Sequence, residues 1–325
     1  MDALSLIRTP IEAELAAYKK LFEKALSHDS PLLGDVLQHI RTRKGKMMRP
    51  MLVLLAAKWV GKVTDATLHA AVTLEVLHTA SLVHDDVVDE SSKRRGQLSV
   101  NAAYNNKVAV LVGDFLLSTA LIYSAFTRHI DIVEKISLLG QVLSEGELLQ
   151  LSNVSKEEII SEDTYFKVIS KKTAALFAAC AEIGIISADG TPEQARLARR
   201  FGEVVGICFQ IRDDVFDYFS DSNIGKPTGN DMAEGKLTLP VLYALKSTPD
   251  KEMTDIAYRV KEGNVSHEEI QRLVRFTVDN GGIEYAHKKM DEFRNEAYGL
   301  IANCKDQAVQ ESFKSYIDFC IERTK

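Results

Sequence analysis

The stretch ATLHAAVTLEVLHTASLVHDDVVD, residues 66–89, decides how this chain folds. Apolar residues recur at helical intervals from Ala66 to Val88, with neither glycine nor proline among them. Gly61 and a Thr64-Asp65 start mark where this helix begins. It ends in three carboxylates, Asp85, Asp86 and Asp89. Asp85 and Asp89 stand one turn apart and leave the same face. Like charges within one turn repel and a helix C-terminus disfavours anions, so something must neutralise them.

The same spacing returns at Asp213, Asp214 and Asp217, again late in an apolar helix. A single DDxxD is more often a solvated helix face. Here Leu82, Val83, Val87 and Val88 flank the first cluster, and Ile207, Phe209, Ile211, Val215, Phe216 and Phe219 flank the second. Two acid clusters in apolar helices, each followed by basic residues, point to a lined cavity. Hard oxygen ligands of this kind suit Mg²⁺, which binds through a few carboxylates plus water and substrate phosphate.

Outward from these motifs the pattern stays helical. One helix fits Met48–Val60, and another opens near Ser99, after the charged turn Ser91–Gly96, and runs through VAVLVGDFLLSTALIYSAF. Ser30-Pro31 reads as a cap followed by proline at the first helical position. Further helices fit 131–151, 173–187, 192–220, 237–246, 251–261 and 267–279, and a long one ends near 303. Alternating strand patterns are scarce, and neither a low-complexity linker nor a repeat divides the chain. The expected architecture is all-α, a single large helical bundle domain over residues 1–325.

A net charge of −6 disfavours a nucleic-acid surface but not a phosphorylated small molecule, for which local lysine, arginine or metal suffices. Cys180, Cys208, Cys304 and Cys320 form no CxxC pair and read as small core residues in a reducing cytoplasm. The N-terminus does not read as a signal peptide. Apolar stretches such as 174–186 are broken by charges like Glu182 before about 18 residues, so no membrane span is expected.

Cations at loop–helix junctions suit diphosphate oxygens. Candidates are Lys46 and Arg49, then Lys93, Arg94 and Arg95, then Lys171, Lys172 and Thr173, and finally Lys226 and Lys236. Taken singly, each reads equally as surface solvation. A lone histidine is more often a satisfied core residue, but His78 lies two turns before Asp85 on the same face, which puts a ligand role on an equal footing.

The stretches EVLHTASLVHDDVVDESSKRRGQLSVN (75–101), FQIRDDVFDYF (209–219) and GKPTGNDMAEGKLTLP (225–240) resemble the two aspartate-rich regions of the trans-polyprenyl diphosphate synthases. GKMMRP (45–50) is similar to that family's amino-terminal GGKRxRP signature, and KKTAAL (171–176) to its lysine-threonine motif. The resemblance covers nearly the whole chain and implies an isoprenoid-synthase bundle that is a homodimer and condenses isopentenyl diphosphate with an allylic diphosphate. It implies that Asp85, Asp89 and Asp213, supported by Asp86, Asp214 and Asp217, bind Mg²⁺ bridging the allylic diphosphate. Arg94, Lys172, Thr173, Gln210, Lys226 and Lys236 would contact that diphosphate or the carbocation region. Lys46, Arg49, His78 and Arg95 would hold isopentenyl diphosphate. Lys44 and Met47 depart from the signature's glycine and arginine.

In the family, the product tail grows alongside the first-motif helix, where Ala80 and Ser81 would set its length. Thr73 lies roughly 18 Å below Asp85 and no aromatic occurs between Val60 and Asp85, so about seven to ten isoprene units are expected, eight the best single value. Release of such a product is expected near a membrane surface. The alternatives are a farnesyl or geranylgeranyl diphosphate synthase, a class I terpene cyclase, and a binding-only subunit that has lost aspartates; this chain keeps all six.

Overall fold

The computed structural model describes residues 3–42, 45–94, 96–154, 158–219 and 228–323. In chain order the helices are α1 (Ala3–Arg8), α2 (Glu12–Ala25), α3 (Pro31–Arg41), α4 (Met48–Val60), α5 (Asp65–Val88), α6 (Val100–Ala103), α7 (Asn106–Phe126), α8 (Ile130–Val154) and α9 (Glu162–Ile169). After a π-helical turn at Ser170–Ala174 come α10 (Ala175–Ile186), α11 (Pro192–Phe216), α12 (Asn230–Ala233), α13 (Leu239–Ser247) and α14 (Lys251–Lys261). The chain closes with α15 (His267–Asp279), α16 (Gly282–Leu300) and α17 (Gln307–Glu322). Among the described residues the only sheet is the antiparallel pair β1 (Lys93–Arg94) and β2 (Gln97–Leu98). The architecture is all-α.

Contacts divide the chain into two compact units. The first comprises Met1–Gly140, Ala179–Gly202 and Asn303–Ser315, and the second Gln141–Ala178, Glu203–Ala302 and Tyr316–Lys325.

In the first unit α4 is apolar all round, and every residue from Met51 to Ala57 is fully buried, as a central helix requires. The expected start of α5 is present: Thr64 accepts from the Thr67 amide while the Thr67 hydroxyl accepts from the Thr64 amide. Helix α5 packs most extensively on α7. The approach is close at Gly113, where a Cβ would lie 2.1 Å from His84 Nε2. Trp59 and Phe201 both stack edgewise on Phe313, at 5.7 and 5.0 Å.

In the second unit α13 packs on α15 and α16, with Tyr243 stacked on Tyr285 at 4.0 Å. Ser266 and Glu269 cap α15 reciprocally. The π-helical turn is held tightly on two sides. A Cβ on Gly146 of α8 would meet the Lys172 amide nitrogen at 2.8 Å, and one on Gly206 of α11 would meet Ala174 Cα at 2.5 Å.

Several boundaries differ from the sequence reading. The helix expected from Ser99 is split into α6 and α7 because Asn105 turns and accepts from the Val108 amide, restarting the helix. The charged turn 91–96 belongs to the β1–β2 hairpin, with Gly96 at φ 78° in the bend. Ser30 makes no side-chain cap, although Pro31 does open α3. Helix α17 follows the last helix expected. By length and composition α5 and α7 are long and apolar enough to cross a membrane, so charges do not interrupt every such stretch. More than half of the apolar window of α5 is buried inside the protein, as a core helix would be.

Candidate active site

In the first unit, the end of α5 presents Asp85 half-buried, Asp86 buried and Asp89 exposed. The Asp89 amide donates to the Asp85 carbonyl at 2.8 Å, so the two side chains keep their one-turn spacing. Asp86 is fully buried and accepts from Arg94 Nε at 2.6 Å, which offsets the cost of an anion at a helix C-terminus. Asn101 ties the hairpin to this helix end, donating to the carbonyls of Asp86 at 3.1 Å and Ser91 at 3.2 Å. Arg95 lies outside the described residues.

A cavity of about 510 Å³ opens beside α5, and His78, Arg94, Gly45, Met47, Glu75 and Arg41 are among its lining residues. The structure thus brings His78 and Arg94 together with the 45–47 loop. Lys46, exposed, and Arg49, half-buried, flank this cavity in sequence but are not among its lining residues. Met47 caps α4 in the left-handed region at φ 57°, a conformation that costs a non-glycine residue about 1–2 kcal/mol. Ala80 is fully buried, and Ser81 bonds back to the His78 carbonyl at 2.9 Å; neither lines the cavity.

In the second unit, α11 carries the other motif, and its three carboxylates have different surroundings. Asp214 is buried, with Oδ2 accepting from the Tyr165 hydroxyl at 2.6 Å and Oδ1 from Gln210 Nε2 at 2.8 Å. Asp217 accepts from the amide and side chain of Asn230 through Oδ1, and from the Asp231 amide through Oδ2, all at 3.0 Å. Asp213 is 41% exposed, and Arg323 Nη2 reaches its Oδ1 at 2.5 Å. That guanidinium also stacks 3.9 Å over Phe209. Burial pushes the Asp214 carboxyl well above the usual range and Asp231 adds to this, while the Tyr165 and Gln210 hydrogen bonds pull it back. Burial, then Asp214, raises the Tyr165 phenol.

A smaller cavity, about 140 Å³, gathers Lys172, Thr173, Gln210, Asp214 and Lys236, together with Asp231, Tyr165 and Lys261. Lys172 Nζ sits 2.8 Å from Glu147 and Lys236 Nζ 2.5 Å from Glu234. Thr173 Oγ1 donates to Gln210 Oε1 at 2.7 Å. Lys226 lies outside the described residues. Glu147, Tyr165, Asp231 and Arg323 were not singled out from the sequence. Asp231 stands inside the quoted 225–240 stretch, whereas nothing in the spacing marks Tyr165 or Arg323.

Among the described residues no three His, Cys, Asp or Glu side chains form a ready-made metal cage. What exists is Asp85 and Asp89 one turn apart in the first unit and, in the second, Asp213, 41% exposed and bonded to Arg323. Carboxylates of this kind, in either unit, suit a hard cation completed by water and phosphate.

The sequence model of the polyprenyl synthetase family matches residues 30–276. The octaprenyl diphosphate synthase of Escherichia coli K12 is 33% identical over 313 residues, covering 96% of each chain. A geranylgeranyl pyrophosphate synthase structure from Bacteroides thetaiotaomicron is 52% identical, with TM-score 0.88, over 99% of this chain and 100% of that one. A polyprenyl synthase from Caulobacter crescentus, complexed with calcium and isoprenyl diphosphate, is 28% identical, with TM-score 0.92, over 99% of this chain and 98% of that one. With its helices, its two aspartate motifs and its full-length matches in agreement, the chain belongs to the polyprenyl synthetase family and is a trans-prenyltransferase.

Proposed function

We propose that this chain is a Mg²⁺-dependent synthase that condenses isopentenyl diphosphate repeatedly onto an allylic diphosphate, giving a long all-trans polyprenyl diphosphate. The family catalyses that condensation and is generally metal-dependent; Mg²⁺ and the long product are our reading. One observation carries it. Both acid motifs are intact, with Asp89 exposed, Asp85 half-buried and Asp213 41% exposed, and cations near them sit on carboxylates: Arg94 on Asp86, Lys172 on Glu147, Lys236 on Glu234.

Asp85, Asp89 and Asp213 would hold the metal, with Asp86, Asp214 and Asp217 in support. When bound, it supplies Lewis-acid stabilisation of the leaving diphosphate. Arg94, Lys172, Lys226 and Lys236 would bind and orient the allylic diphosphate, and for Arg94, Lys172 and Lys236 this exchanges a carboxylate for a phosphate oxygen. Lys46, Arg49, His78 and Arg95 hold isopentenyl diphosphate. The allylic carbon–oxygen bond breaks, and the isopentenyl double bond attacks the electron-poor carbon. The departing diphosphate takes the proton released as the new double bond forms, so no side-chain nucleophile is required.

Similarity to the E. coli octaprenyl enzyme and the absence of Phe, Tyr and Trp between Val60 and Asp85 support a long product. The 52% identity to the Bacteroides geranylgeranyl enzyme favours a second reading, a twenty-carbon product. Helix α7 exposes Leu111, Leu121, Ile122 and Phe126, which supports a homodimer through that face, measurable by sedimentation. Four free, buried cysteines are consistent with a cytoplasmic location.

Turnover should need Mg²⁺ or Mn²⁺ and fall on the order of 10³-fold or more in Asp85→Ala. Near-normal condensation in chelator would contradict the metal role.

A further inference from the structure

Resting on that reading, we propose that Tyr165 is a positioning residue for condensation, acting through Asp214 and Gln210 on the hydroxyl of Thr173. Tyr165 is 4% exposed on α9, packed against Phe166 at 5.4 Å, and its hydroxyl donates to Asp214 Oδ2 at 2.6 Å. The other carboxylate oxygen accepts from the Gln210 amide group at 2.8 Å.

The Gln210 amide nitrogen, not its carbonyl oxygen, is the atom that meets Asp214 Oδ1. With its NH₂ on Asp214, its carbonyl must point to Thr173, whose Oγ1 donates to it at 2.7 Å. A hydroxyl has a single proton, and that of Thr173 is committed to Gln210. Thr173 therefore offers lone pairs, not a donor, to the cavity it lines. Lone pairs stabilise an electron-poor carbon and cannot bond a diphosphate oxygen. The relay thus assigns Thr173 to the reacting carbon and makes Tyr165 the fixed end that keeps the acceptors aimed.

Tyr165→Phe keeps the ring and its packing but leaves Asp214 Oδ2 buried without that donor, loosening Gln210 and Thr173 together. The expected result is a kcat loss of about 10- to 100-fold, with both KM values held within about threefold, since the cations assigned to the diphosphates stay in place. A double-mutant cycle with Thr173→Val separates this from general weakening of the fold. In the Thr173→Val background the Tyr165→Phe penalty should shrink to within about twofold, because the relay then has no end to aim. Full kcat in Tyr165→Phe, or equal penalties in both backgrounds, would overturn the proposal. Wild-type condensation in the same assay tests the underlying functional reading separately.

Discussion

Gly206→Ala sets two opposing effects against each other at a known place. Gly206 lies inside α11, where alanine alone would stabilise the helix by about 0.8–1 kcal/mol. An added Cβ would stand 2.5 Å from Ala174 Cα, 3.0 Å from Ala174 Cβ and 3.2 Å from Phe177 Cδ2. The nearest of these is backbone, which no rotamer change can relieve. Overpacking of this kind costs about 1–3 kcal/mol, so the net effect runs from about zero to a loss of roughly 2 kcal/mol. The displaced segment is the π-helical turn that carries Lys172 and Thr173, and Gly146 blocks its retreat on the α8 side. A shift of even a fraction of an ångström there should lower kcat by about tenfold. Gly140→Ala is the matched control: it lies inside α8 and its Cβ would meet nothing within 4 Å, so the propensity gain should appear undiminished. Thermal unfolding and steady-state kinetics on both variants decide the matter. If Gly206→Ala is stabilised as much as Gly140→Ala and turns over normally, the close approach of α11 to the turn is wrong.

Three other substitutions separate roles within the motifs and along α5. Asp217→Ala removes the acceptor for three donors from 230–231 and should cost about 1–3 kcal/mol in denaturant titration. Arg323→Ala should cost about 1–2 kcal/mol, mainly through its lost stacking on Phe209, and should tighten Mn²⁺ binding to substrate-free protein, read by electron paramagnetic resonance. Unchanged Mn²⁺ affinity would mean that the guanidinium does not compete for Asp213. Ser81→Phe should shorten the main product towards about three or four isoprene units while sparing the first condensation, seen by product chromatography; fully buried Ala80 should tolerate Phe less well, losing about 1–3 kcal/mol.

Elements whose signals are local were readable in the sequence. The α5 start follows from the Thr64 cap, and α14 and α15 fall where their periodicity puts them, with Asp250 and Ser266 as the caps the structure adds. The aspartate motifs were legible because a one-turn spacing is itself a geometric statement. What escaped depends on partners distant in sequence. Nothing near Tyr165 announces that its hydroxyl meets Asp214, nor does the chain around Arg323 announce that it covers Asp213. The split between α6 and α7 hinges on one asparagine inside a continuous apolar pattern, where periodicity outweighs a single turn former. Glu147 and Glu234 read as solvent charges, because only the folded chain shows that they hold Lys172 and Lys236.

The most direct test of the central claim is to incubate the purified chain with farnesyl diphosphate, Mg²⁺ and isotopically labelled isopentenyl diphosphate, then separate the dephosphorylated products by chromatography. Isopentenyl-dependent label is expected in a ladder of all-trans products ending at about eight isoprene units, the length of the E. coli relative's named product. No incorporation, or conversion of farnesyl diphosphate alone into a hydrocarbon, would contradict it.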